Sequence, residues 1–307
     1  MRNEVTVQAP GSVSNLGSGF DVLGFALGEP CDTLTLIKTE EPGVRLHNDS
    51  PFALPDDPRK NVSGIVLLAA LERAGATHGF ELRARKRIKP GSGIGSSAAS
   101  AAGAAVAANV LLGNIFSKED LLDLAMEGEA LASGARHADN VAPCIYGGVT
   151  LVRSLEPPDI IALPAPDLYV TIVHPQIEVP TAYARSILPK EIPLRSAVRQ
   201  WGNVGALVAG FYRNDAALIA RSMEDLVAEP YRKALIPGFD AVRSASLAAG
   251  ALGGGISGSG PSLFMFSRTE QEAQAVAAAM QAVYTGLGID HHTYVTGIDP
   301  RGVRVVG

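Results

Sequence analysis

Apolar residues recur along this chain with two periods that take turns. Residues 5–8 (Val-Thr-Val-Gln) and 33–38 (Thr-Leu-Thr-Leu-Ile-Lys) alternate apolar with polar positions, the period of a half-buried strand, and 81–88 does the same. The first of these runs stops at Ala9-Pro10-Gly11. Residues 61–75 instead place Val62, Ile65, Val66, Leu68 and Ala69 at helical spacing and close on Gly75. Two more helices are expected over 98–112 and 117–132, the second opened by Ser117 with Asp120 three positions on, a reciprocal capping pattern. Residues 149–153 return to strand.

The stretch 155–167 carries Pro157, Pro158, Pro164 and Pro166, which makes it the expected domain boundary. Beyond it, 168–174 reads as a buried strand, 181–188, 194–213 and 239–251 as helices, and 262–266 as a strand. A helix over 270–284 and a strand over 293–295 complete the pattern, with no internal repeat or low-complexity tract. Both halves mix helices and strands, so the expectation is an α+β chain of two domains, 1–156 and 167–307.

Composition narrows the class. With 307 residues, 47% hydrophobic and 19% charged, the chain can bury a sizeable core and is ordered. A net charge of −5 offers no general attraction to nucleic acid or to an anionic membrane, so neither is an expected partner. Arg83, Arg85 and Arg87 alternate and share one strand face, which reads as a solvated sheet edge. Cys31 and Cys144 form no disulfide framework or zinc spacing. Residues 1–7 hold no apolar leader, and the apolar run 98–112, interrupted by Gly103 and Asn109, is too short to span a bilayer. A soluble, cytoplasmic protein is expected. Its oligomeric state is open, a homodimer included.

The chemistry concentrates at residues 90–100, Pro-Gly-Ser-Gly-Ile-Gly-Ser-Ser-Ala-Ala-Ser. Gly91, Gly93 and Gly95 let the backbone turn successive N–H groups toward one point. A helix starting near Ser96-Ser97 would aim its unpaired N–H groups and positive dipole end at that point, a cradle for phosphate oxygens. A serine hydroxyl there can also ligate Mg2+. No lysine follows the glycines, which excludes a P-loop, and the G-x-G-x-G spacing is not the dinucleotide fingerprint. Close helix–strand packing without a ligand is the remaining alternative, but packing does not require two serines at the helix start.

Four other features bear on a site. Residues 9–24 carry Gly11, Gly17, Gly19 and Gly24 with Asn15 and Asp21, a ligand loop or an irregular turn. Glu129 precedes His137, Asp139 and Asn140, a polar cluster expensive in a core and sensible at a site, with a capping or loop role still open. Residues 252–262 hold Gly253, Gly254, Gly255, Gly258 and Gly260, so the backbone there passes close to a neighbour or a ligand. Arg185, near Thr181, and Arg232 offer bidentate forks to carboxylate or phosphate.

The order of these motifs resembles the GHMP family of small-molecule kinases over essentially the whole chain, with 90–100 as its most specific signature. Within the family the resemblance is to the branch that phosphorylates L-homoserine, through Asn15-Leu16-Gly17, Gly19-Phe20-Asp21 and the run from His137 to Pro143. The resemblance implies a two-domain α+β fold: a first half with a left-handed βαβ unit and the phosphate loop, and a ferredoxin-like second half. It implies ATP and Mg2+ as cofactors, L-homoserine as acceptor, and a step toward threonine.

By the same resemblance, Pro90, Gly91, Ser92, Gly93, Ile94, Gly95, Ser96, Ser97, Ala98, Ala99 and Ser100 hold the triphosphate, and Asn61 lies near the adenine. Ser97 and Glu129 ligate Mg2+. Asn15, Asp21, His137, Asp139, Asn140, Arg185 and Arg232 form the amino-acid pocket, and Thr181 stands near the reacting hydroxyl. The catalytic residues implied are Ser97, Asn140 and Thr181. Two positions depart from several relatives: Ser12 replaces a lysine and Asn140 an aspartate base. An amide takes no proton near neutral pH, so the hydroxyl proton is expected to leave late, onto phosphoryl oxygens.

Overall fold

The computed structural model describes residues 2–307. Its first sheet is built on β1 (Glu4–Asn15) and β2 (Gly19–Thr39), an antiparallel pair. β2 is long enough for two further partners: residues 33–39 pair with β4 (Gly79–Arg85), and 23–25 with β5 (Val149–Leu155). β3 (Gly43–Asn48) runs parallel to β4 on the far side, joined to it through α1 (Val62–Arg73) as a βαβ crossover. β6 (Pro158–Leu163) folds back on β5. β11 (Arg304–Val305) pairs with the free side of β1, Val7 opposite Val305, giving the order β11-β1-β2-β4-β3.

The alternating pattern misses three things here. The first strand does not stop at Pro10 but runs on to Asn15, because a register shift between Pro10 and Ser12 gives the proline a bulge to occupy. The Arg83 strand is not an edge: β3 covers it, and only the arginine face is solvated. The proline-rich stretch is no free connection but the β5–β6 hairpin of the first sheet.

α2 (Ser96–Leu111) is the central helix. Ala101, Ala102, Ala104, Ala105, Ala107 and Ala108 are all fully buried, and their small size lets α1, α3 (Lys118–Ser133) and the sheet close on it together. Ser117 and Asp120 form the expected capping box at the start of α3. A short α4 (Val141–Tyr146) follows.

The second sheet comprises β7 (Tyr169–Pro175), β8 (Gly253–Ile256), β9 (Leu263–Ser267) and β10 (His291–Gly297), antiparallel in the order β10-β7-β9-β8. With α10 (Glu270–Gly286) packed on it, this is the ferredoxin-like order the resemblance implies. Between β7 and β8 lie α5 (Thr181–Ser186), α6 (Leu194–Arg213), α7 (Ala216–Ser222), α8 (Glu229–Arg232) and α9 (Phe239–Ala248). Phe25 of the first sheet packs against Phe264 and Phe266 of the second at ring-centre distances of 6.0 and 5.4 Å. One main core therefore runs through both halves. No helix among the described residues is long and apolar enough to cross a membrane.

Candidate active site

The glycine-rich loop 90–95 follows β4 and enters α2 under strict backbone control. Gly93 and Gly95 take φ of 81° and 72°, left-handed values that strain other residues. A side chain at Gly95 would meet Ser12 Oγ at 2.1 Å, so the loop also packs too closely for one. The loop carbonyls are held from outside. Ser12 N donates to Ile94 O at 3.1 Å, Ser257 Oγ to Gly93 O at 2.8 Å and Ser262 Oγ to Ser92 O at 2.6 Å. Gly95 begins α2 without any side-chain cap. The first-turn N–H groups therefore keep their capacity for an anion.

A cleft of about 460 Å³ opens in front of this turn. At one end lie Leu46, Leu54, Pro55, Val62 and Leu82 with Asn61, an apolar enclosure suited to a nucleobase. Asn61 itself caps α1, accepting from Ser63 N at 3.0 Å and donating to Pro55 O at 2.9 Å. The loop lines the middle with Pro90, Gly91, Gly93, Gly95, Ser96, Ser97 and Ser100. Ser92, Ile94, Ala98 and Ala99 do not line it, because their side chains are buried against the protein.

Across from the helix start stands Glu129. Its carboxyl is pushed up to about 7, chiefly by burial, against which a hydrogen bond from Ser97 acts. Asp139 is buried too, and burial followed by the charge of Asp21 raises it to about 6. Beside it Asn140 is fixed on both sides: Oδ1 accepts from Ser12 Oγ and Nδ2 donates to Ser14 Oγ, each at 2.8 Å.

The far end carries opposite charges at close quarters. Arg185 grips Asp21 through two hydrogen bonds of 3.0 and 2.7 Å. Arg232, 3% exposed, is held by the backbone carbonyls of Ala184 at 3.1 Å and Gly258 at 3.0 Å. Both guanidinium groups flank the Phe20 ring, 5.5 and 5.2 Å from its centre. Among the described residues no carboxylate pairs with Arg232, so its charge is available to a ligand. Asn15 and Asp21 hold left-handed φ of 73° and 61° in this tight hairpin, joined by a bond from Asp21 N to Asn15 Oδ1 of 3.1 Å. His137 lines the same end, its imidazole shifted below its ordinary range by burial and by the Arg185 charge, and Thr181 meets Ser259 at 3.2 Å.

One cavity thus gathers every substrate, catalytic and metal residue expected from the sequence. It also adds Lys86, Ser14, Glu178 and Ser259, which the motifs did not single out. For Lys86 the signal was present: with three arginines on one strand face, the lysine between them must point inward.

Comparison with known proteins places the fold and the family. Residues 61–148 match the GHMP kinases N terminal domain model, and residues 207–286 match the GHMP kinases C terminal model. The chain is 50% identical to a homoserine kinase of Chloroherpeton thalassium, covering 99% of both. It is similar to the crystal structure of homoserine kinase from Cytophaga hutchinsonii, with 49% identity, a TM-score of 0.96 and coverage of 100% and 98%. Mevalonate kinase of L. major, solved with R-mevalonate, shares the fold at 15% identity and a TM-score of 0.74, covering 97% of each chain.

Proposed function

The chain belongs to the GHMP kinase family, and we propose that it transfers the γ-phosphoryl group of ATP to the side-chain hydroxyl of L-homoserine, giving O-phospho-L-homoserine, a step toward threonine. The observation that carries the acceptor is the charge pattern at the far end of the cleft. An amino acid presents an ammonium and a carboxylate together. Asp21 and Asp139 answer the first, Arg232 and Arg185 the second. An alcohol without an ammonium would leave the buried Asp139 carboxylate without a counter-charge, and a sugar would leave Arg232 in the same position, since Asp21 and Arg185 already neutralise each other.

The apolar end receives the base, and the uncapped first turn of α2 receives the phosphates. Asn140, immobilised by Ser12 and Ser14, orients the acceptor hydroxyl beside the loop. With no proton-accepting group at that position, the hydroxyl proton passes late to the phosphoryl oxygens, which a loose transition state tolerates. The donor set of Ser97 and Glu129 fits Mg2+: one buried carboxylate and one hydroxyl, both hard oxygens, leave most positions to phosphate and water. Bound there, the ion would neutralise phosphate charge.

ADP release measured over L-homoserine, mevalonate and galactose tests the reading. Homoserine should be preferred on the order of a hundredfold or more. Equal use of mevalonate would overturn the assignment of the acceptor.

A further inference from the structure

The buried ion pair beneath the phosphate loop has no part in the chemistry above. Lys86 follows β4 and Asp32 lies in β2, their side chains 5% and 1% exposed. The ammonium has three N–H donors and all three are placed: on Asp32 Oδ2, on the Ser96 carbonyl at 3.2 Å and on Ser100 Oγ at 2.7 Å. Asp32 Oδ1 accepts in turn from the backbone N–H groups of Arg87 at 2.7 Å and Ile88 at 2.9 Å. One pair thus ties the segment entering the loop to the first turn of the helix leaving it. Ser96 Oγ, donating to Ile88 O at 2.9 Å, closes the same stem.

α2 requires such a tie. Gly95 has no side chain to cap it, and its first turn carries no acidic residue. An ordinary cap would steady that turn but would occupy N–H groups that an anion needs. Stability alone is a poor reason for the pair, since exchanging a buried ion pair for apolar groups is often neutral or better.

We propose that Asp32 and Lys86 are positioning residues that stand in for an N-cap. They grip the first turn of α2 by its carbonyl side and leave its N–H groups to the nucleotide phosphates, a role that rests on the kinase reading. Lys86 also borders the cleft, whereas Asp32 does not, so Asp32 reports on positioning free of direct contact.

The test compares wild type, Asp32→Asn and the double variant Asp32→Asn/Lys86→Met. ADP affinity is measured by calorimetry, both KM values by kinetics, and amide hydrogen exchange at residues 96–99 by mass spectrometry. The double variant, with no buried charge left alone, should melt near wild type yet bind ADP roughly tenfold more weakly or worse. Its KM for ATP should rise with that loss, its KM for homoserine should stay, and exchange should quicken at 96–99 but not along the rest of α2. If Asp32→Asn fails to fold, the double variant decides. Wild-type ADP affinity and exchange in the double variant would overturn the proposal. So would wild-type affinity in Asp32→Asn with loss only when Lys86 goes, since that assigns Lys86 to direct contact. A wild-type protein that binds no ADP would instead sink the kinase reading, while exchange at 96–99 judges the clamp separately.

Discussion

Asn140 uses both ends of its amide to stay in place. Asn140→Asp keeps the size but loses the N–H that Ser14 accepts, and adds a negative charge next to Asp139 in the chain. We expect kcat to fall roughly 10- to 100-fold through misplacement of the hydroxyl. A gain in turnover with a new acidic limb in the kcat–pH profile would show that the site lacked only a base. Glu129 makes the complementary case. Folded, its carboxyl holds its proton up to about 7, against 4.5 ordinarily, so between those values the native state binds more protons than the unfolded one. The stability from this group is full below 4.5 and is lost as pH rises through about 7, by about 3 kcal/mol in nucleotide-free protein. Urea titrations across that window should show the decline in wild type and a shallower one in Glu129→Gln, the remainder belonging to Asp139. The same variant should raise the Mg2+ concentration needed for half-maximal turnover. Unaltered Mg2+ dependence would remove Glu129 from the metal site.

At the scale of elements, α2 starts without a side-chain cap, on a left-handed Gly95. Gly95→Ala forces a left-handed alanine, costing about 1–2 kcal/mol before any clash, and drives Ser12 from Asn140. We expect a lower melting temperature, a KM for ATP raised roughly tenfold and a lower kcat, measured together on one preparation. The helices bounded by caps and glycine stops were legible from the sequence because their signals are local: Asn61, Ser117 and Gly75 lie within a turn of the ends they mark. β3 was not legible. Its residues Gly-Val-Arg-Leu-His-Asn are mostly exposed, and only the neighbouring β4 makes them a strand. The phosphate loop and the His137–Asn140 cluster could be read because each is compact in sequence. The alternating arginines imply that Lys86 faces inward, but not what it meets, since its partner Asp32 is 54 residues away. Arg232 carried little weight alone, and its place depends on carbonyls from α5 and the late glycine turn.

For the whole molecule, the late glycine turn explains why both halves are needed. Ser257 and Ser262 belong to the second sheet's β8–β9 connection, yet they hold carbonyls of the first half's phosphate loop. Ser257→Ala/Ser262→Ala should cost about 1 kcal/mol per lost bond and raise the KM for ATP, leaving that for homoserine nearly unchanged. Denaturant melts with paired kinetics check this, and equal loss for both substrates would deny the serines a specific hold on the loop. The pairing of β11 with β1 has a consequence in time. Val7 and Val305 lie side by side in the sheet but are made far apart on the ribosome. At about 5–20 residues per second, the interval between them is on the order of 15 s to a minute. Throughout it the stretch of β1 from Thr6 to Gln8 lacks its partner on one side and is open to another nascent chain as well as to its own. Slowing elongation should therefore lower the soluble yield of this protein, which expression with and without rare codons upstream of β11 would measure.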